Sequence, residues 1–307
     1  MSLAPEIKQF LEASAAAGLP QVWEAPVAVI RSNTQSRPAL AGEPEELSEI
    51  INRFIPGPTA DLPIRIYRPH QATDRAIVYF HGGGWVLNFL DIYDASLSRL
   101  ANQSRATIIS VNYQKAPEHP FPIPFDDCFA TLLWVHNNAS WLGINVKKIG
   151  VAGDSAGGNL ASAVALKARD LEIPLAFQLL IYPCNDRDFD TDSYRNLATG
   201  YGLSTQAMQW FWEQYLQGND HDSNPYAVPM KARDFAGVAP AIVITAEYDP
   251  LLSDSEKYVA LLKGDGVTTT YRCFEGMIHG FFTNLAVTPV ASYAIDFAAS
   301  EIVKLTQ

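Results

Sequence analysis

The chain has 307 residues, 48% hydrophobic and 18% charged, the balance of one large globular domain rather than of a disordered or membrane-embedded chain. Twenty-two Lys and Arg against 33 Asp and Glu leave a net charge of −11. That sign argues against nucleic acid or an anionic membrane surface as a partner.

Residues 4–17 have helical spacing, with Ile7, Phe10, Leu11 and Ala15 on one face. Glu6, Lys8 and Glu12 fall where a signal peptide needs its apolar region. Residues 18–44 are irregular and contain proline, and 45–54 predicts a second short helix; all of this is expected to cover the sheet rather than join it. Residues 62–67 alternate as a half-exposed strand does, whereas 76–80 and 107–111 are continuous apolar runs, hence central strands, with a helix over 91–103 between them. A proline-rich loop at 116–122 opens a helix reaching about residue 138. A buried strand at 148–152, an Ala-rich helix from 159 and a strand at 177–182 follow. Regularity lapses over 185–229 apart from the aromatic segment 208–216. It resumes as strand 241–246, helix 253–263, strand 269–274 and a closing helix over 290–305. Strands alternating with helices predict an α/β architecture: a mostly parallel central sheet, right-handed crossovers and helices on both faces.

Gly153-Asp154-Ser155-Ala156-Gly157 stands where strand 148–152 meets the next helix. Glycine two positions either side of a serine at such a turn is the nucleophile-elbow pattern G-x-S-x-G, in which strand and helix cross too closely for a side chain. Taken alone, the pentapeptide also reads as a helix start capped by Ser155. Three further features weigh on the choice. His81-Gly82-Gly83-Gly84-Trp85 follows a central strand directly, and successive glycines there can turn backbone N–H groups toward a developing negative charge. Asp249 lies just past strand 241–246, at the carboxyl end of a parallel strand, where a helix N-cap is its plainer role; Asp254 and Glu247 are the rival acids. His279 lies in the loop after the next strand and is the only histidine after Asp249. The order Ser155, Asp249, His279 is that of α/β-hydrolases and not of the chymotrypsin or subtilisin folds. His81, just before the glycines, is expected to be scaffold for that loop rather than a base.

These blocks, with Gly158-Asn159, Pro250-Leu251 and Gly280-Phe281 extending them, resemble the signatures of the bacterial hormone-sensitive-lipase-like esterases. The resemblance runs from about residue 60 to the end of the chain. Tyr113-Gln114-Lys115-Ala116-Pro117-Glu118 matches the family's Tyr-Arg-Leu-Ala-Pro-Glu block only in part, Gln114 and Lys115 being departures. The resemblance implies an α/β-hydrolase fold over 1–307 with a helical cap built from about 1–50 and an insertion at about 185–229.

On this basis Ser155 is the expected nucleophile, His279 the base and Asp249 its partner, with the N–H groups of Gly83, Gly84 and Ala156 as the oxyanion hole. Trp85, Tyr182, Ile278 and Phe281 adjoin the motifs, while Phe211 and Trp212, beside Trp210, fall in the presumed cap; they are the candidate pocket wall, the Trp-Phe-Trp cluster being equally readable as packing core. The expected substrate is a small-molecule ester with a short acyl chain. An amidase or arylformamidase, an acyltransferase on the same site, and a non-catalytic receptor on the same scaffold are the alternatives. Three scattered cysteines (Cys128, Cys184, Cys273) and six histidines show no metal-ligand spacing, so no metal or cofactor is expected, and isolated thiols fit a reducing, cytoplasmic compartment. No apolar run reaches the ~20 residues of a membrane span. A homodimer is left open.

Overall fold

A computed structural model describes residues 2–218 and 221–307. The apolar runs become β1 (Glu49–Pro56), β2 (Asp61–Arg68), β3 (Ala76–Phe80), β4 (Thr107–Val111), β5 (Ile149–Asp154), β6 (Phe177–Ile181), β7 (Ala241–Tyr248) and β8 (Thr269–Ile278). They form one sheet in the order β1-β2-β4-β3-β5-β6-β7-β8. From β4 to β8 every neighbour is parallel, while β2 runs antiparallel to both β1 and β4. The helices are α1 (Pro5–Ala16), α2 (Val27–Asn33), α3 (Pro38–Ala41), α4 (Asp94–Ser104), α5 (Ile123–Asn137), α6 (Ala139–Leu142), α7 (Ala156–Asp170), α8 (Asp192–Asn196), α9 (Thr205–Leu216), α10 (Leu252–Gly264) and α11 (Pro289–Leu305). Among the described residues no helix is long and apolar enough to cross a membrane.

Every residue of β3, β4, β5 and β6 is buried. Two apolar layers explain why. Ile77 and Tyr79 point to the side covered by α1, α4 and α11, where Ile7, Leu97, Leu100, Ile295 and Ala298 pack. Val78 and Phe80 point the other way, toward α5, α7 and α10 with Leu132, Leu160 and Tyr258. A strand covered on both faces has no polar side to alternate with, hence its unbroken apolar run.

The segment 45–54, predicted as a helix outside the sheet, is corrected: β1 occupies Glu49–Pro56 and pairs with β2 along its whole length. Ile50, Ile51, Phe54 and Ile55 recur at helix-like intervals because both faces of this edge strand carry apolar residues. Ile55 is buried opposite Leu62, and Ile51 lies against the core opposite Ile66, while Ile50 and Phe54 face solvent. Three β-branched isoleucines in one short stretch favour the pleated chain, and the hairpin closes where the Gly57 N–H donates to Ala60 O. The irregular stretch 18–44 also contains helix, with Pro26 immediately before α2 and Pro38 in the first turn of α3, positions at which proline's missing N–H costs nothing. β8 runs on to Ile278 after a register shift against β7 between Ala246 and Tyr248, so residue 279 follows directly from the sheet. The described residues of 185–229 leave the sheet between β6 and β7 and carry α8 and α9, residues 219 and 220 of that segment lying outside the description.

Candidate active site

β5 ends and α7 begins at Ser155, whose backbone sits at φ 57°, ψ −121°. An L-residue avoids that region, and the strain is sustained by its surroundings: the Ser155 N–H donates to Ile181 O at 2.8 Å. A Cβ on Gly153 would overlap the Gly157 carbonyl, and one on Gly157 would overlap the Phe80 carbonyl. Both obstacles are backbone, so no side-chain rotation relieves them.

Above this turn three side chains meet. His279 Nε2 lies 2.9 Å from Ser155 Oγ, and His279 Nδ1 lies 2.7 Å from Asp249 Oδ2. A carboxylate only accepts, so Nδ1 carries the proton and Nε2 is left to accept from the serine hydroxyl. Asp249 is fully buried, and its other oxygen accepts the Leu251 N–H at 2.9 Å. The turn role and the histidine contact are thus held by one carboxylate, while α10 itself begins past Leu251 without a side-chain cap. The rivals lie elsewhere. Glu247 accepts the Gly276 N–H at 2.7 Å. Asp254 is buried in the first turn of α10, its two oxygens without a hydrogen-bond partner among the described residues, and burial, then the neighbouring Asp186, push its carboxyl well above the usual range.

The glycine loop faces the same point. Gly83 and Gly84 have φ of 110° and 61°, and Gly83 O takes the N–H groups of both Val86 and Leu87. The N–H groups of Gly83, Gly84 and Ala156 have no acceptor among the described residues. His81 is fully buried, stacked on Tyr113 at 4.4 Å, and its Nδ1–H donates to Gly82 O at 2.8 Å. Burial lowers its pKa to about 3, so the ring stays neutral.

Asp154, beside the serine, ties the elbow to this loop: Oδ1 accepts from Tyr79 Oη and the Gly82 N–H, both at 2.9 Å, and Oδ2 from Tyr93 Oη at 3.2 Å. Nothing local marks which tyrosines converge on it, and the sequence reading did not find this network. Desolvation outweighs those bonds and raises its pKa from 3.8 to about 6. Raised above its unfolded value, the group contributes stability that is fully present below pH 3.8 and lost as pH rises through about 6. The stability of wild type minus that of Asp154→Asn should therefore fall by about 3 kcal/mol across that window. Urea unfolding of both proteins from pH 4 to 7 checks this, and a difference that is flat or rises with pH would contradict it.

The candidate wall residues divide into two groups. Tyr182, at φ 36°, sets its ring 4.5 Å from His279, with Phe281 6.0 Å behind it. Trp85 packs on Trp212 and Tyr215 at 4.5 and 4.3 Å, and Trp85, Tyr182, Trp212 and Phe281 have 0% exposure. Phe211 lays its ring on Gly84, where a Cβ would overlap it, and keeps 7% exposure; Ile278 keeps 2%. Ser155 is 8% exposed, so the cluster is nearly sealed from solvent. The departures Gln114 and Lys115 line a separate cleft of about 1010 Å³ between residues 28–38 and 112–119. There Gln114 bonds Asp127, and the half-buried Lys115 ammonium donates to Asn112 Oδ1 at 2.5 Å. Among the described residues no group of three or more His, Cys, Asp or Glu is placed to hold a metal.

A family model described as the alpha/beta hydrolase fold matches residues 77–283. A carboxylesterase of Mycobacterium tuberculosis, NlhH, is 39% identical over 240 residues, 76% of this chain and 75% of that protein. An arylesterase of Saccharolobus solfataricus is 35% identical over 283 residues, 92% of each chain. The solved structure of a hyperthermophilic esterase from the archaeon Pyrobaculum calidifontis superposes with a TM-score of 0.94 at 36% identity, covering 99% of both chains.

Proposed function

The chain belongs to the α/β-hydrolase fold family, among its hormone-sensitive-lipase-like esterases, and from that premise we propose that it is a carboxylesterase acting on short-chain acyl esters through Ser155, His279 and Asp249. The observation that carries the reading is the unbroken line from Asp249 Oδ2 through His279 to Ser155 Oγ at 2.7 and 2.9 Å, set beside three N–H groups with no acceptor among the described residues.

The Ser155 hydroxyl oxygen attacks the ester carbonyl carbon while its proton passes to His279 Nε2. The carbonyl oxygen becomes an oxyanion held by the N–H groups of Gly83, Gly84 and Ala156, each worth about 3 kcal/mol of barrier. Asp249 holds the imidazole in the tautomer that can accept that proton, and stabilises the cation that forms. Collapse expels the alcohol, which takes the proton from His279 and leaves an acyl-serine. Water, giving its proton to His279, adds to the acyl carbon; a second collapse frees the acid and returns the hydroxyl. His81, neutral and walled in by Tyr113, positions the glycine loop and takes no proton.

We place residues 1–50 without β1, together with 185–229, as the cap over this site. Phe211 from α9, seated on Gly84, and the low exposure of Ser155 support a size limit on the acyl chain. p-Nitrophenyl esters from acetate to palmitate, run beside a matched anilide, test the reading. Turnover should peak at short acyl chains with the anilide nearly inert. Anilide turnover rivalling the esters would favour an amidase, and a maximum at palmitate would remove the size limit.

A further inference from the structure

The turn that carries Gly83 and Gly84 is poorly able to hold its own shape. Trp85 at φ 59° and Asn88 at φ 69° join the two glycines in the left-handed region, which L-residues enter at a cost. The turn's internal hydrogen bonds are the two from Val86 and Leu87 to one carbonyl, Gly83 O. The remaining restraint comes from outside: the Ala116 N–H donates to Trp85 O, Phe211 and Trp212 pack on Gly84 and Trp85, and two arginines six residues apart near the N-terminus bond to the turn.

Arg31, in α2, donates Nε to Val86 O at 2.8 Å and Nη2 to Ala116 O at 2.8 Å, and pairs with the Glu118 carboxylate at 2.7 and 2.8 Å. Arg37, just before α3, donates Nη1 to Asn88 Oδ1 at 2.9 Å. Asn88 passes that contact inward: its Nδ2 donates to Gly82 O at 3.2 Å and to Tyr93 Oη at 3.1 Å, and Tyr93 in turn bonds Asp154, the residue before the nucleophile. Arg31 and Asn88 line the cleft between residues 28–38 and 112–119, while Ile30, next to Arg31, is buried in the same core cluster as Trp85, Val86 and Leu87.

We propose that Arg31 and Arg37 are positioning residues for the oxyanion hole: the N-terminal segment grips the 83–88 turn from outside and sets where the Gly83 and Gly84 N–H groups point. Charge-assisted bonds to a carbonyl and an amide oxygen are strong enough to hold a strained turn, and a donor displaced by about 1 Å forfeits about a hundredfold in rate. The proposal rests on the esterase reading. It predicts where a loss would appear: the hole binds the tetrahedral oxyanion more tightly than the ground-state carbonyl, so kcat suffers and KM does not.

The test compares wild type with Arg31→Met, Arg37→Met, the double variant and Glu118→Gln, on the best p-nitrophenyl ester and with a trifluoromethyl ketone. The Ser155 oxygen adds to the ketone carbon and His279 takes the hydroxyl proton, so the resulting hemiketal oxyanion occupies the hole. The double variant should lose about a hundredfold in kcat with KM within about threefold, and its Ki for the ketone should rise in step with kcat/KM. Glu118→Gln breaks the ion pair but spares the bonds to Val86 and Ala116, and should leave kcat within about twofold. Should the double variant fail to fold, Arg37→Lys and Arg31→Lys take its place, each expected to lose less than the matching Met variant and to show the same kcat-only pattern. A loss carried by KM, a ketone Ki that does not move, or a fall in Tm at full kcat would overturn the positioning role while leaving the esterase reading standing. A wild type that neither hydrolyses esters nor binds the ketone would overturn both.

Discussion

Ser155→Ala should lower kcat by about 10⁵–10⁶-fold while leaving the protein as stable as wild type, because the side chain contributes chemistry and little packing. Among the described residues its hydroxyl bonds to His279 Nε2 alone, so deletion orphans a histidine nitrogen at a site that is not fully closed. The strained backbone at φ 57° is imposed by the β5–α7 crossing and by the bond from the Ser155 N–H to Ile181 O, and alanine inherits both. Steady-state turnover of the best ester, with thermal unfolding of the same preparations, checks the two halves together. Residual activity above about 1% of wild type would remove Ser155 as nucleophile. A large fall in Tm would show instead that the hydroxyl helps hold the elbow.

Asp249→Asn should cost about 10⁴-fold in kcat, and Asp254→Asn less than about threefold. The contrast follows from what each carboxylate touches. At position 249 an amide can turn its NH₂ toward Nδ1, which favours the tautomer with the proton on Nε2, unable to accept from Ser155. It also withdraws the charge that stabilises the imidazolium. At position 254 the carboxyl is buried with no hydrogen-bond partner among the described residues, so its protonated form is favoured and an amide is close to isosteric with it. Kinetics of both variants over a range of pH decide the matter, and the reverse ranking would move the acid to residue 254.

The pairing of Ser155 with His279, 124 positions apart, and of His279 with Asp249, 30 apart, was legible in the sequence because the elbow motif, an acid just past a strand and the one histidine after it stand in the α/β-hydrolase order. Parallel strands deliver their carboxyl ends to one edge of the sheet, so three such residues in the α/β-hydrolase order converge whatever the helices between them look like. The glycines were legible from the G-x-S-x-G spacing, and the structure gives the reason: a Cβ at 153 or 157 would overlap backbone at the crossing of strand and helix. β1 was not, because an edge strand with isoleucine or phenylalanine on both faces has the spacing of a helix, and only its partner β2 reveals the pleat.

By itself, then, the sequence determined the α/β fold, the buried strands and the motif residues that follow them, since these follow from local periodicity and motif spacing. Only the tertiary structure decided that Tyr79 and Tyr93 converge on Asp154, that Trp85 and Trp212 pack away from solvent, and that Arg31 and Arg37 reach the turn at residues 83–88. Those contacts join side chains whose positions depend on strand order, helix rotation and loop path together, and no spacing along a single chain encodes that sum.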